Sequence, residues 1–117
     1  VLEIIKKDLA ESVHDISNGG LLIALAEMSM GSDYGVKINK PKKLTNLFKY
    51  FFGEDQSRYV LEINKENMKK VEEILKKNNI FYENIGLTQK DYFEIEKEMK
   101  ISVKELYKIN NQWYNNY

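Results

Sequence analysis

The stretch His14-Asp15-Ile16-Ser17-Asn18-Gly19-Gly20, followed at once by the apolar run Leu21 to Met28, constrains this chain more than any other. Two adjacent glycines let the backbone turn tightly and approach whatever lies above the turn. Ser17 or Asn18 is placed to cap the helix that follows, because a side-chain oxygen there can accept from the free N–H groups of its first turn. A helix start of this kind favours negative charge, so a phosphate is a reasonable guest. The stretch is not a G-x-G-x-x-G or G-K-[ST] pattern, however. On residue chemistry alone, a capped helix start with His14 and Asp15 satisfied locally is the stronger reading.

The rest of the chain alternates helical and extended patterns. Val1 to Ala10 places Leu2, Ile5 and Leu9 at helical spacing, with Ile4 alongside. Glu11 to Ile16 reads as a short strand. The set Leu21, Leu22, Ala24, Leu25, Ala26 and Met28 covers most of a helix circumference, which predicts burial on several sides. Glu27 then falls on its narrow polar stripe, and Gly31-Ser32-Asp33 ends it. Tyr34 to Asn39 alternates as a strand closed by Pro41, and Leu44 to Phe52 reads as a short helix packing Leu47, Phe48, Phe51 and Phe52. Tyr59 to Ile63 is a strand entered through the polar block Gly53 to Arg58. Asn64 is expected to cap a helix over Lys65 to Lys77 with Met68, Val71, Ile74 and Leu75 on one face. Ile80 to Leu87 and Tyr92 to Glu96 read as a hairpin turning through Thr88 to Asp91, and Glu94, Glu96 and Glu98 meet water. Ser102 caps a last helix in a capping box with Glu105, with Val103, Leu106, Ile109 and Trp113 on its inner face and a polar tail from Tyr114 to Tyr117. The sum is an α/β fold of about five strands and four or five helices, an open mixed β-sheet with helices packed on it, in one domain over residues 1–117.

Composition narrows the function. Eighteen basic and eighteen acidic residues cancel, which argues against a dedicated nucleic-acid binder. The absence of cysteine excludes thiolate zinc sites and cysteine nucleophiles and suits the cytoplasm. No apolar run approaches the roughly 20 residues that cross a bilayer, so no membrane partner is expected. A lone histidine cannot pair with a second to build a metal site, so neither a catalytic nor a metal-binding residue is assigned. The chain begins inside a helical pattern, which points to a fragment of a longer polypeptide.

Three segments together carry a resemblance: His14 to Leu21 with Ala24-Leu25-Ala26-Glu27-Met28, then Phe52-Gly53-Glu54-Asp55-Gln56-Ser57-Arg58-Tyr59, then Ile101 to Leu106 running to Gln112-Trp113. In order and spacing they resemble the C-terminal domain of the phosphoribosylformylglycinamidine synthase family, whose domain type is shared with aminoimidazole ribonucleotide synthetase. That resemblance covers essentially the whole chain. It implies an ATP-dependent ligase of purine biosynthesis that uses magnesium and turns formylglycinamide ribonucleotide and glutamine-derived ammonia into the amidine. It also implies partners, namely the remaining domains of the synthetase, a glutaminase subunit and a small accessory subunit. The residues it marks are Asp15, Ser17, Asn18, Gly19 and Gly20 toward the nucleotide, and Glu54, Asp55 and Gln56 toward the substrate. The chain departs from the family in carrying Asn18 where an acid is usual and Asp55 where a small residue is usual. The expected role is one wall of a nucleotide cleft, inactive alone. The alternative is a stand-alone non-catalytic module that binds a nucleotide or a partner.

Overall fold

The computed structural model describes residues 1–41 and 46–116. In chain order the elements are α1 (Leu2–Lys6), β1 (Ser12–Asp15), α2 (Gly20–Ser32), β2 (Tyr34–Ile38), α3 (Leu47–Phe52), β3 (Tyr59–Glu62), α4 (Met68–Lys77), β4 (Gly86–Lys90), β5 (Tyr92–Ile95), β6 (Met99–Ser102) and α5 (Val103–Asn115). The mixed α/β class and the open sheet are as expected. The strands divide into an antiparallel pair, β1-β3, and a four-stranded mixed sheet ordered β4-β2-β5-β6. Of the helix expected over Leu44 to Phe52, Leu44 and Thr45 lie outside the described residues, as do Tyr117 and the side chains of Trp113 and Tyr114.

Helix α2 lies under both sheets. Its Leu21, Ala24 and Leu25 join Val60 of β3, Val36 and Ile38 of β2, and Phe93 and Ile95 of β5 in one buried cluster. Apolar side chains nearly all round the helix are what that position requires, each fully buried one contributing about 1.5–3 kcal/mol. On the far face of the β1-β3 pair, Leu61 and Ile63 pack against Ile4, Leu9 and Val71 from the segments around α1 and α4.

Several expectations are corrected by tertiary context. Helix α1 stops at Lys6 because Asp8 turns left-handed (φ 53°), and its buried residue is Ile4, leaving Leu2 and Ile5 exposed. The hairpin is β5-β6, turning at Glu96 to Glu98 with Lys97 at φ 61°, rather than a pairing of Ile80 to Leu87 with Tyr92 to Glu96. Strand β4 runs through the expected turn and pairs antiparallel with β2, while β5 pairs parallel on the other side of β2. To change sides, the chain crosses β2 at Gly35, where a Cβ would stand 1.8 Å from the Tyr92 carbonyl oxygen. Only glycine permits that approach. Asn64 does not cap α4 with its side chain: its backbone carbonyl accepts from Asn67 and Met68, its amide donates to Glu11, and the helix starts at Met68. Ser102 does cap α5, accepting from the Glu105 N–H at 3.1 Å.

Candidate functional site

Antiparallel pairing of β1 with β3 brings the two polar motifs together. Asp15 at the end of β1 lies opposite Tyr59 at the start of β3, and the pairing continues as the Ile16 N–H donates to the Arg58 carbonyl at 2.9 Å. The segment leaving β1 is therefore beside the segment approaching β3. There the Gly19 N–H donates to Glu54 Oε1 at 2.8 Å.

This contact replaces the expected cap. The N-cap of α2 is Gly19 in the left-handed region (φ 82°), with no bond from Ser17 or Asn18 side chains. Ser17 contributes its carbonyl, which accepts from the Gly20 N–H at 3.1 Å. The carboxylate that neutralises the helix start comes from Glu54, 35 positions away. Gly20 is also left-handed (φ 72°) and backs onto the end of α3, where a Cβ would stand 2.6 Å from the Phe52 carbonyl carbon. Replacing Glu54 by Ala is expected to cost about 1 kcal/mol, the usual worth of a helix cap, and Glu54→Gln to restore much of it. Paired urea melts of the two variants check this.

The polar side chains form an open face. Asp15, Ser17, Asn18, Glu54, Asp55 and Gln56 are all exposed. Arg58, partly buried, lies with Nη1 3.6 Å from Asp55 Oδ2, so it partly balances the charge that Asp55 adds beside Glu54. His14 ties β1 to α2: Nδ1 is 2.6 Å from the Asp15 carbonyl oxygen and Nε2 is 3.0 Å from Glu27 Oε2. Glu27 is exposed, as expected. Beside the glycine turn, Phe48 and Phe52 stack with ring centroids 4.8 Å apart and remain exposed with Ile23. Only Phe51 of that helix is fully buried, so the expectation that both phenylalanines pack inward fails. These rings border the face and were legible only as an aromatic run ending at Gly53. Among the described residues no three acidic or histidine side chains gather as a metal site.

Behind α3, the Tyr50 hydroxyl donates to Glu83 Oε1 at 2.7 Å. Burial first, then that hydrogen bond and the Glu83 charge, push the phenol well above its ordinary range. A raised folded-state pKa stabilises the fold fully below the unfolded value and less as pH climbs past it. Above pH ~10 the Tm of the natural chain is expected to fall more steeply than that of Tyr50→Phe in parallel thermal melts.

The fold and face define the class: an open α/β domain in which a helix-start glycine turn is closed by a carboxylate from a second polar loop. The family described as "AIR synthase related protein, C-terminal domain" matches residues 1–96, and the chain belongs to that family. It is 37% identical over 91 residues to the phosphoribosylformylglycinamidine synthase subunit PurL of Pelagibacter ubique, covering 78% of this chain and 12% of that protein. Against the same subunit of Alkaliphilus metalliredigens it is 37% identical over 86 residues, covering 74% and 12%. The chain thus spans about an eighth of the length of these relatives. Among solved structures, Thermotoga maritima PurL complexed with FGAR superposes with a TM-score of 0.77 at 19% identity, over 91% of this chain and 19% of that one. PurLQS from the same organism gives 0.76 at 18% identity, over 91% and 20%. At these identities the superpositions establish the fold. No helix among the described residues is long and apolar enough to cross a membrane.

Proposed function

We propose that this chain is the part of a PurL-type synthetase that walls a nucleotide-binding cleft, and that alone it catalyses nothing. The observation that carries the reading is the Gly19–Glu54 contact, which welds the two polar motifs into one exposed face. The reaction of the parent would be the ATP-dependent conversion of formylglycinamide ribonucleotide to the amidine, with ammonia from a glutaminase subunit. Relatives in the fold comparison are described as complexed with ATP and with ADP, and one as a PurLQS assembly, which supports a nucleotide and partner subunits for the parent.

The face itself limits what it can touch. A bare phosphate does not fit the start of α2, because Glu54 already holds the Gly19 N–H and Asp15 and Asp55 add further negative charge nearby. Among the described residues no three acidic or histidine side chains gather to hold a metal by themselves, so a magnesium ion at this face would take most of its ligands from the nucleotide's phosphates and water. Exposed carboxylate, hydroxyl and amide groups suit the hydroxyls of a ribose or the edge of a base. In this reading Asp15, Ser17 and Asn18, on the turn shaped by Gly19 and Gly20, face the nucleotide, and Asp55 and Gln56 face the ribonucleotide substrate. Glu54 shapes the wall from behind. Cations for the phosphates come from other domains, in the cytoplasm where such synthesis runs. The chain assayed alone with Mg-ATP, formylglycinamide ribonucleotide and ammonia should release no ADP above the no-enzyme rate. Turnover by these residues alone would refute the wall reading.

A further inference from the structure

The turn between β1 and α2 holds a chemically labile pair. Asn18-Gly19 is the one place in the sequence where asparagine precedes glycine, and Asn18 is exposed and makes no cap bond. Asparagine is among the thermolabile residues, because the backbone nitrogen of the next residue can attack its side-chain carbonyl carbon. Glycine offers that nitrogen with no side chain to shield it and with the freest backbone to bring it close. The attack needs the nitrogen to shed its proton and to swing within about 3–3.5 Å of Cγ. Here the N–H that must react is the one that donates to Glu54 Oε1 at 2.8 Å. A carboxylate is far too weak a base to deprotonate an amide, so this bond keeps the hydrogen on nitrogen and the peptide plane in place. The flanking backbone is tied as well, the Ile16 N–H to the Arg58 carbonyl and the Gly20 N–H to the Ser17 carbonyl.

We propose that Asn18 is a site of spontaneous deamidation, and that Glu54 holds the reaction off by occupying the Gly19 N–H. When the contact opens locally, the Gly19 nitrogen gives its proton to solvent and bonds to Asn18 Cγ, and the side-chain nitrogen leaves as ammonia. The product is a cyclic succinimide, to which water adds at either carbonyl carbon. Addition at Cγ breaks the Cγ–N bond and leaves aspartate. Addition at the backbone carbonyl carbon breaks the original peptide bond and leaves isoaspartate, with the chain rerouted through Cγ. Overall one water is consumed and one ammonia released, and nothing is oxidised or reduced. Either product adds a carboxylate to a face that already carries Asp15, Glu54 and Asp55. Isoaspartate also lengthens the backbone just before Gly19, which draws its N–H away from Glu54. The reaction thus destroys the contact that restrains it, and the face does not re-form. The inference uses the Gly19–Glu54 contact but no ligand, so it stands apart from the cleft-wall reading and its test uses no nucleotide.

The test follows Asn18 by peptide mapping and mass spectrometry as the 117-residue chain is incubated at mildly alkaline pH. Each event adds about one dalton and a negative charge. Because 18 basic and 18 acidic residues balance, isoelectric focusing also separates the product. The urea-unfolded chain gives the unrestrained rate, and the folded chain should react at Asn18 at least ~tenfold more slowly. Glu54→Ala, checked as folded by circular dichroism, should react about fivefold faster than the natural chain, the worth of the lost cap. Glu54→Gln keeps an acceptor without the charge, so its rate should fall between those two. Val71→Ala weakens the other core cluster without touching the turn, and its rate should match the natural chain. A folded natural chain that deamidates as fast as the unfolded one, or an unchanged rate in Glu54→Ala, overturns the proposal. Equal acceleration in Val71→Ala does so too, since it traces the reaction to general unfolding. If Glu54→Ala does not fold, Glu54→Gln decides, and a rate no faster than that of the natural chain sinks the role given to Glu54.

Discussion

Gly20→Ala is expected to destabilise the chain by about 3 kcal/mol and to lower Tm by more than ~10 °C. Two independent costs add. A left-handed φ of 72° costs an L-residue with a Cβ roughly 1–2 kcal/mol. The new methyl also meets backbone, at 2.6 Å from the Phe52 carbonyl carbon and 2.7 Å from the Phe51 oxygen, and backbone has no rotamer with which to retreat. Overpacking of this kind costs about 1–3 kcal/mol. Relief requires α3 to move off α2, which carries Gly53 and Glu54 away from Gly19. The variant should therefore lose the face as well as stability, visible as faster exchange of the Gly19 amide. Gly31→Ala is the control on the same helix. It has open space around it, so alanine there should raise stability by about 0.5–1 kcal/mol. Melts that show the two substitutions alike would mean that α3 does not press on the glycine turn.

The sequence carried whatever depends on near neighbours. Helix α2, its end at Ser32 and the Ser102 cap follow from local patterns and from hydrogen bonds spanning three or four residues. The motifs of the candidate face were equally visible, since each is a compact run. What local reading could not supply was their junction. The cap of α2 comes from Glu54, and no neighbour of Gly19 announces it, so Ser17 and Asn18 took its place in the expectation. The hairpin failed for a related reason. Ile80, Phe81 and Ile85 have the composition of a strand, yet Phe81 is 89% exposed and that stretch runs as a loop to β4. The real turn, Glu96-Lys97-Glu98, carries no glycine or asparagine to mark it. It is held from outside, by the Glu96 N–H donating to the Ile38 carbonyl and by Lys40 paired with Glu98. β4 and β5 flank β2 because Gly35 lets the chain cross there, a fact of packing rather than of pattern.

The second large effect is functional, and it tests the proposed cleft-wall role. The chain is placed in the matching segment of a PurL subunit to which it is 37% identical, so that the remaining domains are present. In that chimera Asp15→Ala and Gln56→Ala remove exposed side chains, so both should keep the parent Tm. Losing a hydrogen bond to bound ligand and leaving its polar partner unmet costs about 1–3 kcal/mol, which is roughly tenfold or more in affinity. In the proposed role the wall binds without taking part in the chemistry, so the loss should appear in KM with kcat little changed. The decisive measurement is steady-state amidine formation by the chimera and its two variants, with ATP and formylglycinamide ribonucleotide varied in turn. A cleft wall predicts a KM raised about tenfold for ATP in Asp15→Ala and for the ribonucleotide in Gln56→Ala. Unchanged KM values for both ligands in both variants, at undiminished Tm, would show that this face lines no cleft.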